Sequence, residues 1–594
     1  MRQLVGHHAL IIAVASAVFI IHLGESHLWD RDEPRNAGCA AEMLARGDWV
    51  VPIFNGELRT AKPVLLYWLI MSSYAVFGIN EFAARFPSAL LGIGTVLVTY
   101  HIGKRLFNAQ VGLWSALLLT TSLMFNVASR AATPDAALIF FSTLALLVFT
   151  HGQFPSFPKR PSLIVLMYAL TGLGVLAKGP IGLVLPMAVM GMFLLIHRLP
   201  AKSSSWEPDC PSGSRNVELP AWKLAELTAT LLRPFAPLHF LRTLWAMWPW
   251  AAVGVVLVVS LPWYGWVHFR SDGQWVREFL LVENVGRAAA PMENHRGTPL
   301  FYPVALLVGF FPASIFVGAT VANATRAIRD HDVWRKSYIF LFCWVGVIVF
   351  IFTLAQTKLP SYVTPAHPAL AILSGCFFYR WTRGEFNLSP WRGRVIMTCL
   401  AVVGIVLAVA VYVAGQQFLP GERWLWSIGL ILPVGAAICV TCVELQRRRT
   451  AATVFVVTGM LFCTVLFGYG AARVGQYQQI DQLLAASRLR TDQPRLACYG
   501  CLEPSWVFYS GQSIHEFGSD GDAAREFLRD HPANLVITTD RHLAQLQRQG
   551  FDEVQILGEV PYFLKKDRLI LIGRSNEAVA AMPANFDSRQ ADWR

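Results

Sequence analysis

Seven consecutive residues, Trp29-Asp30-Arg31-Asp32-Glu33-Pro34-Arg35, follow the first apolar run of the chain and crowd carboxylates against guanidinium groups. Ionisable groups at the mouth of a membrane helix are costly unless they serve a purpose. Asp32 and Glu33, oriented by Arg31 and Arg35, suit a base that takes a proton from an attacking hydroxyl. The competing reading is a salt-bridge cluster that anchors the first helix. A second carboxylate, Asp135, ends the string Ser129-Arg130-Ala131-Ala132-Thr133-Pro134-Asp135. Thr133 and Pro134 are helix-start residues, so Asp135 falls in a first turn. There it either favours the helix dipole alone or faces Asp32 and binds an acceptor, a metal or the base's partner.

Cations recur beside these acids. Lys62-Pro63, Lys178-Gly179-Pro180 and Gln356-Thr357-Lys358-Leu359-Pro360-Ser361-Tyr362 each place a lysine at the edge of an apolar run. Glu283-Asn284-Val285-Gly286-Arg287 and Glu293-Asn294-His295-Arg296 add two arginines. Lysine and arginine at headgroup level stabilise a departing phosphate; snorkelling to lipid headgroups is the alternative. The segment with Arg287 reads as a loop that closes over a site or contacts a phosphate. His295 reads as a surface histidine or a pocket residue, and Tyr362 as a hydrogen-bonding wall or part of an aromatic belt. Pro365 and Pro368 are expected to bend their helix and leave room for a lipid tail.

The elements that position these groups are membrane helices. Of 594 residues, 54% are hydrophobic and 15% charged, the composition of a polytopic membrane protein. Runs long enough to cross a bilayer lie near 8–24, 83–103, 109–127, 134–150, 162–177, 180–197, 247–268, 300–322, 338–355, 362–379, 395–413, 424–443 and 450–471, about thirteen in all. The first has no small-residue cleavage site after it and reads as an uncleaved anchor.

The net charge of +12 sits in short clusters between apolar runs, which is a topology signal and not a nucleic-acid surface. Arg2, Lys104/Arg105, Lys159/Arg160, Arg198, Arg326/Arg329/Arg335/Lys336, 380–394 and Arg447-Arg448-Arg449 fall on one side, which the positive-inside rule makes cytoplasmic. Counting 64–78 as a span would invert every later loop. It is therefore expected to lie at the interface, anchored by Tyr67, Trp68 and Tyr74. The same alternation puts 29–63, 129–135, 178–180, 269–299 and 356–365 outside. Almost every motif with chemical character lies in that set. Residues 198–246 form a cytoplasmic loop rich in Ser and Pro.

Residues 475–594 alternate between strand and helix patterns and read as an extracytoplasmic α/β domain beyond a membrane domain at 1–474. Strands are expected at 495–499, 513–517, 534–538, 553–557 and 569–572, with helices at 504–510, 523–529 and 541–549. Cys498-Tyr499-Gly500-Cys501 has a thioredoxin-like placement but no paired redox architecture, and reads as a structural disulfide or two buried thiols. The other cysteines are mostly scattered in apolar runs, as small hydrophobes.

The ordered succession Asp32-Glu33-Pro34-Arg35, Gly47-Asp48-Trp49-Val50-Val51-Pro52, Lys62-Pro63 with Leu66-Tyr67-Trp68, Phe77-Gly78, and Arg85-Phe86-Pro87-Ser88 resembles the bacterial aminoarabinose transferases of lipid A and the wider protein O-mannosyltransferase superfamily. Thr133-Pro134-Asp135, Lys178-Gly179-Pro180, 283–287 and 358–362 follow in the family's order. The resemblance covers the whole membrane part. It implies the GT-C fold and inverting transfer of a sugar from a polyprenyl phosphate. The acceptor would be a hydroxyl or phosphate on a membrane lipid, an envelope glycan or a protein, at the outer face of a bacterial inner membrane.

By that match Asp32 is the catalytic carboxylate, with Glu33 and Asp135 beside it. Lys62, Arg35, Lys178, Arg287 and Lys358 would contact donor phosphate, and Tyr362, Glu283, Asn284 and His295 would line the pocket. In the aminoarabinose transferases a Glu before the Lys-Pro and a His in the loop after the seventh span hold a metal. Ala61 and Asn284 stand there in this chain, and Asn36 replaces a Tyr. The departures argue against a zinc site and against aminoarabinose as the sugar, and no cofactor is expected with any firmness. The competing function is a lipid-linked sugar flippase, which the small number of mid-span charges and the absence of an evident internal repeat disfavour.

Overall fold

Apolar runs become helices because lipid offers no partner for a free backbone N–H or C=O. The computed structural model describes residues 2–29, 32–199, 233–286, 297–419, 421–490, 494–531, 533–548 and 554–574. Its first nine helices are α1 (Arg2–Ile20), α2 (Asp32–Arg46), α3 (Leu65–Phe77), α4 (Glu81–Leu106), α5 (Ala109–Thr120), α6 (Leu123–Arg130), α7 (Asp135–His151), α8 (Pro161–Lys178) and α9 (Ile181–His197). Among the described residues seven helices are long and apolar enough to cross a membrane, and nine if each of two bent pairs is one span. The shorter apolar helices α1, α7 and α9 fill three more expected positions, and helix His367–Thr382 stands at the one expected at 362–379. Helix Pro390–Phe418 leaves Val402, Val406, Val409 and Val413 open to its surroundings, the lipid-facing side of an all-apolar helix.

Two expected spans are broken. α5 and α6 meet at 72°, and Phe301–Gly309 meets Ala313–Arg329 at 115°. Pro312 lacks an N–H and interrupts the second pair. The breaks satisfy each other: the Leu123 N–H donates to the Phe311 carbonyl at 3.1 Å, and the Ser122 hydroxyl donates to the Gly309 carbonyl at 3.0 Å. Broken helices survive at membrane depth only where neighbours pick up the freed groups. Pro365 and Pro368 do not bend a helix. Pro360–Ala366 is a 3-10 turn, and the helix starts after it at His367–Thr382, with Pro368 in its first turn, where a missing N–H costs nothing.

α3 has 13 residues, roughly 20 Å at 1.5 Å per residue, too short to cross a bilayer. It buries Leu65, Leu66, Tyr67, Ile70, Met71 and Tyr74, and Trp68 donates its indole N–H to the Trp49 carbonyl. The loop expected at 198–246 is helical over Pro237–Ala246; its residues 200–232 lie outside the described residues.

The last part carries a sheet of β3 (Arg495–Cys498), β4 (His515–Glu516), β5 (Asn534–Thr539), β6 (Val554–Pro561) and β7 (Arg568–Arg574), after the short hairpin of β1 (Ile53–Phe54) and β2 (Glu57–Leu58). Its order is β4-β3-β5-β7-β6, parallel across β4, β3 and β5 and antiparallel across β7 and β6. β5 is buried along its whole length, the signature of a central strand covered on both faces. Cys498 and Cys501 are free thiols, and burial pushes both pKa values up, Cys501 to about 12, which opposes the thiolate that redox exchange requires.

This sheet part seats on the loops before α2 and α3. The Asn55 side chain exchanges two hydrogen bonds with the Ile514 backbone, at 2.9 and 2.7 Å. The Tyr509 hydroxyl accepts from the Leu28 N–H at 2.8 Å and donates to Glu81 at 3.1 Å, and His27 pairs with Asp481 at 2.8 Å.

Candidate active site

α7 starts at Asp135 and α8 ends at Lys178, so their adjoining ends bring a carboxylate and an ammonium together as an ion pair. The two side chains are only 16% and 14% exposed. The ammonium also lies 5.2 Å from the centre of the Tyr362 ring, a cation–π contact that fixes the start of the 3-10 turn. Gly179 then turns the chain with φ +81°, and a Cβ there would sit 2.5 Å from the Phe279 ring and 3.5 Å from Asn284 Oδ1. Both facts require glycine. They also place Asn284, whose amide donates to the Phe279 carbonyl at 2.7 Å, against the Lys178-Gly179-Pro180 turn. Glu283 is half-buried in the same helical stretch, Phe279–Gly286.

Asp32 is the first residue of α2 and is exposed. Its charge is felt at Lys178 and at Arg59. Glu33, next to it, is 4% exposed, and both its oxygens are engaged. Arg85 of α4 grips them with Nε at 2.9 Å and Nη2 at 2.8 Å; the Ala132 N–H donates to Oε1 at 2.8 Å and the Trp29 N–H to Oε2 at 2.6 Å. A carboxylate so saturated has no lone pair to spare for a substrate proton, so the geometry makes Glu33 a positioning residue and not a second base.

Arg85 also donates to the carbonyls of Leu23, Ser26 and His27, which pins the turn between α1 and α2. One turn after Glu33, Asn36 donates to the Ala132 carbonyl at 2.9 Å. α2 therefore holds the loop before Asp135 by the N–H and the C=O of one residue.

Lys358 is 6% exposed, and its ammonium donates to the carbonyls of Phe352 and Thr353 at 3.2 and 2.6 Å while lying 5.1 Å from the Tyr302 ring centre. Its geometry is that of a cation satisfying the carbonyls at the end of helix Arg335–Leu354. Arg35 and Lys62 are half-buried, one in the first turn of α2, the other just before α3. Arg287 and His295 lie outside the described residues.

Sequence reasoning missed Arg59. It carries no motif, yet its guanidinium donates to Asn36 Oδ1 at 3.0 Å and to the Tyr67 hydroxyl at 3.1 Å, and its carbonyl accepts from the Trp275 indole at 2.8 Å. Its one visible signal was spacing, three residues before Lys62 in a polar hairpin.

The metal of the aminoarabinose transferases does not fit. Ala61 offers no ligand atom, and Asn284 offers only a neutral amide, whose nitrogen donates to the Phe279 carbonyl, where the family has a histidine. Among the described residues no three His, Cys, Asp or Glu side chains cluster to hold an ion.

Beside Pro360 and the helix Phe301–Gly309 opens an apolar groove of about 350 Å³, lined by Phe301, Val304, Ala305, Val308 and Met124. At the other end of helix His367–Thr382, Arg383, Arg447, Arg448 and Arg449 line an open groove of about 500 Å³. Tyr362, against the Lys178 ammonium, and the arginine groove thus lie beyond opposite ends of helix His367–Thr382.

Residues 61–206 match the family model described as dolichyl-phosphate-mannose-protein mannosyltransferase. The undecaprenyl phosphate-alpha-4-amino-4-deoxy-L-arabinose arabinosyl transferase of Pectobacterium atrosepticum is 28% identical over 77% of this chain and 75% of its own length. An uncharacterized protein of Aquifex aeolicus is 28% identical over 62% of this chain, and the match spans 63% of that relative. In fold, the chain is similar to the crystal structure of ArnT from Cupriavidus metallidurans bound to undecaprenyl phosphate, with a TM-score of 0.71, 21% identity, and coverage of 95% of this chain and 97% of that one. The membrane helices, the sheet that follows them and these likenesses lead to one statement: the chain has the GT-C fold and is similar to the protein O-mannosyltransferases and the lipid A aminoarabinose transferases.

Proposed function

We propose that this protein transfers a sugar from a polyprenyl phosphate to a hydroxyl or phosphate acceptor on a membrane lipid, an envelope glycan or a protein. The single observation that carries the reading is the Asp135–Lys178 pair against Tyr362 at one end of the bundle, near an apolar groove and within reach of the charge of Asp32. Asp32, exposed, takes the acceptor's proton as the acceptor oxygen bonds to the anomeric carbon. The bond from that carbon to the phosphate oxygen breaks on the opposite face, and the configuration inverts. Lys62 and Arg35, with Arg287, stabilise the departing polyprenyl phosphate. Lys178 orients Asp135 and supports Tyr362 as a pocket wall, while Asn284 backs the turn at Gly179. The groove beside Pro360 takes the first isoprene units of the donor.

In this reading the protein sits in a bacterial inner membrane with the arginine groove and N-terminus toward the cytoplasm. Asp32 and the sheet part then face the opposite side, as the positive-inside rule requires. The test is release of polyprenyl phosphate from radiolabelled donors by the purified wild type and Asp32→Asn in detergent. Transfer lost in the variant, with donor binding retained, supports the assignment; equal transfer by both overturns it.

A further inference from the structure

Of the cations around the start of α2, two have carboxylates of their own: Arg85 has Glu33 and Lys178 has Asp135. Arg59 has none. Its side-chain partners are neutral oxygens, Asn36 Oδ1 and the Tyr67 hydroxyl, bound through Nη2 and Nε, and no carboxylate lies within ion-pair distance of it among the described residues. The charge of Asp32 also reaches it, but in the reaction proposed above that carboxylate takes a proton. A polyprenyl phosphodiester brings a single negative charge, and Lys62 and Arg35 are already assigned to it. Beside Asp32, Arg59 therefore presents a guanidinium with no ion-pair carboxylate among the described residues and with spare N–H donors.

Such a group donates hydrogen bonds to hydroxyls and repels an ammonium. A like charge held ~8 Å away in a medium of effective dielectric ~20 disfavours binding by well over tenfold. Resting on the function proposed above, we propose that the donor sugar is neutral and hydroxylated, without an ammonium group, and that Arg59, held by Asn36 and Tyr67, sets this preference.

The test compares two donors on the full-length protein in detergent, undecaprenyl phosphate glucose and undecaprenyl phosphate 4-amino-4-deoxy-L-arabinose, by thermal-shift binding and by release of undecaprenyl phosphate. Wild type is expected to favour the neutral donor at least tenfold. Arg59→Gln narrows that ratio toward one, and Arg59→Lys, which keeps the charge, restores most of it. A wild-type preference for the cationic donor overturns the proposal even if no variant folds. So does an equal loss for both donors in Arg59→Gln, which would mark a phosphate contact. Binding of both donors without release from either counts against sugar transfer, and the binding ratio still reads the charge preference.

Discussion

Asp135 and Lys178 form an ion pair between the first residue of α7 and the last of α8. Their alignment makes each helix end favour its occupant: an acid at an N-terminus, a base at a C-terminus. Removing one partner strands the other in a largely buried setting, which costs about 3–5 kcal/mol. Lys178→Met is expected to lower the melting temperature sharply and transfer by ~10²-fold or more. The double variant Asp135→Asn/Lys178→Met should recover part of the stability and none of the transfer. A melting temperature equal to wild type in Lys178→Met would refute this account of the pair.

Asp32 and Glu33 are neighbours with different duties, so their amides should separate. Glu33→Gln breaks the two-point grip of Arg85 and lowers stability by about 3 kcal/mol. Asp32→Asn, at an exposed position, leaves the melting temperature within a degree or two while abolishing transfer. Thermal melts of both variants decide it; an unchanged melt for Glu33→Gln contradicts the assignment.

Much of this was legible in the chain. The apolar runs gave helices close to where they stand, and the alternation at 495–499, 534–538 and 569–572 matches β3, β5 and β7, because helix and strand periods are local properties. Arg85 gripping Glu33 was not legible. The motif Arg85-Phe86-Pro87-Ser88 was visible as part of a family pattern, but its partner lies 52 residues away and only packing joins them. Lys358 looked like a phosphate ligand because a lysine at a membrane edge invites that reading; its use on two carbonyls depends on where the preceding helix ends. Arg59 offered no motif at all.

Gly179 allows a direct test of local strain. Gly179→Ala must place a Cβ at φ +81° and against the Phe279 ring, costing about 1–2 kcal/mol for the backbone alone. Adding Phe279→Leu should relieve the steric part and leave the backbone part. Melting temperatures of the single and double variants measure both; no rescue by Phe279→Leu would mean that the ring already yields.

The contact between His27 and Asp481 should respond to pH. Burial opposes a charged imidazole at His27, but hydrogen bonding and charge from Asp481, with Glu81 further off, outweigh it and raise the pKa. A raised pKa stabilises the docked state fully below the ordinary histidine value of about 6.5, and that contribution fades as pH climbs through the docked value. The protection factor at 480–490, taken after the intrinsic base-catalysed rise is divided out, is therefore expected to fall as pH climbs above about 6.5. His27→Gln should flatten the profile; a wild-type profile already flat would refute the linkage.

Cys498 and Cys501 should be inert. With both thiols held well above neutral pH by burial, iodoacetamide at pH 8 is expected to spare them in the folded protein and label them after unfolding. Rapid labelling of either in the native state would contradict the packing of β3.

The bond from Asn55 to Ile514 spans 459 residues. At a synthesis rate of ~5–20 residues per second, the ribosome needs roughly half a minute or more to supply the second partner after the first has emerged. Throughout that interval the hairpin of β1 and β2, the Leu28 amide and the His27 ring wait without their final partners. Each molecule therefore passes through a period in which its membrane helices are in place and its donor-facing loop is unfinished. A chain cut short before β3 would remain in that condition, with Asn55 and the Leu28 amide never meeting Ile514 and Tyr509.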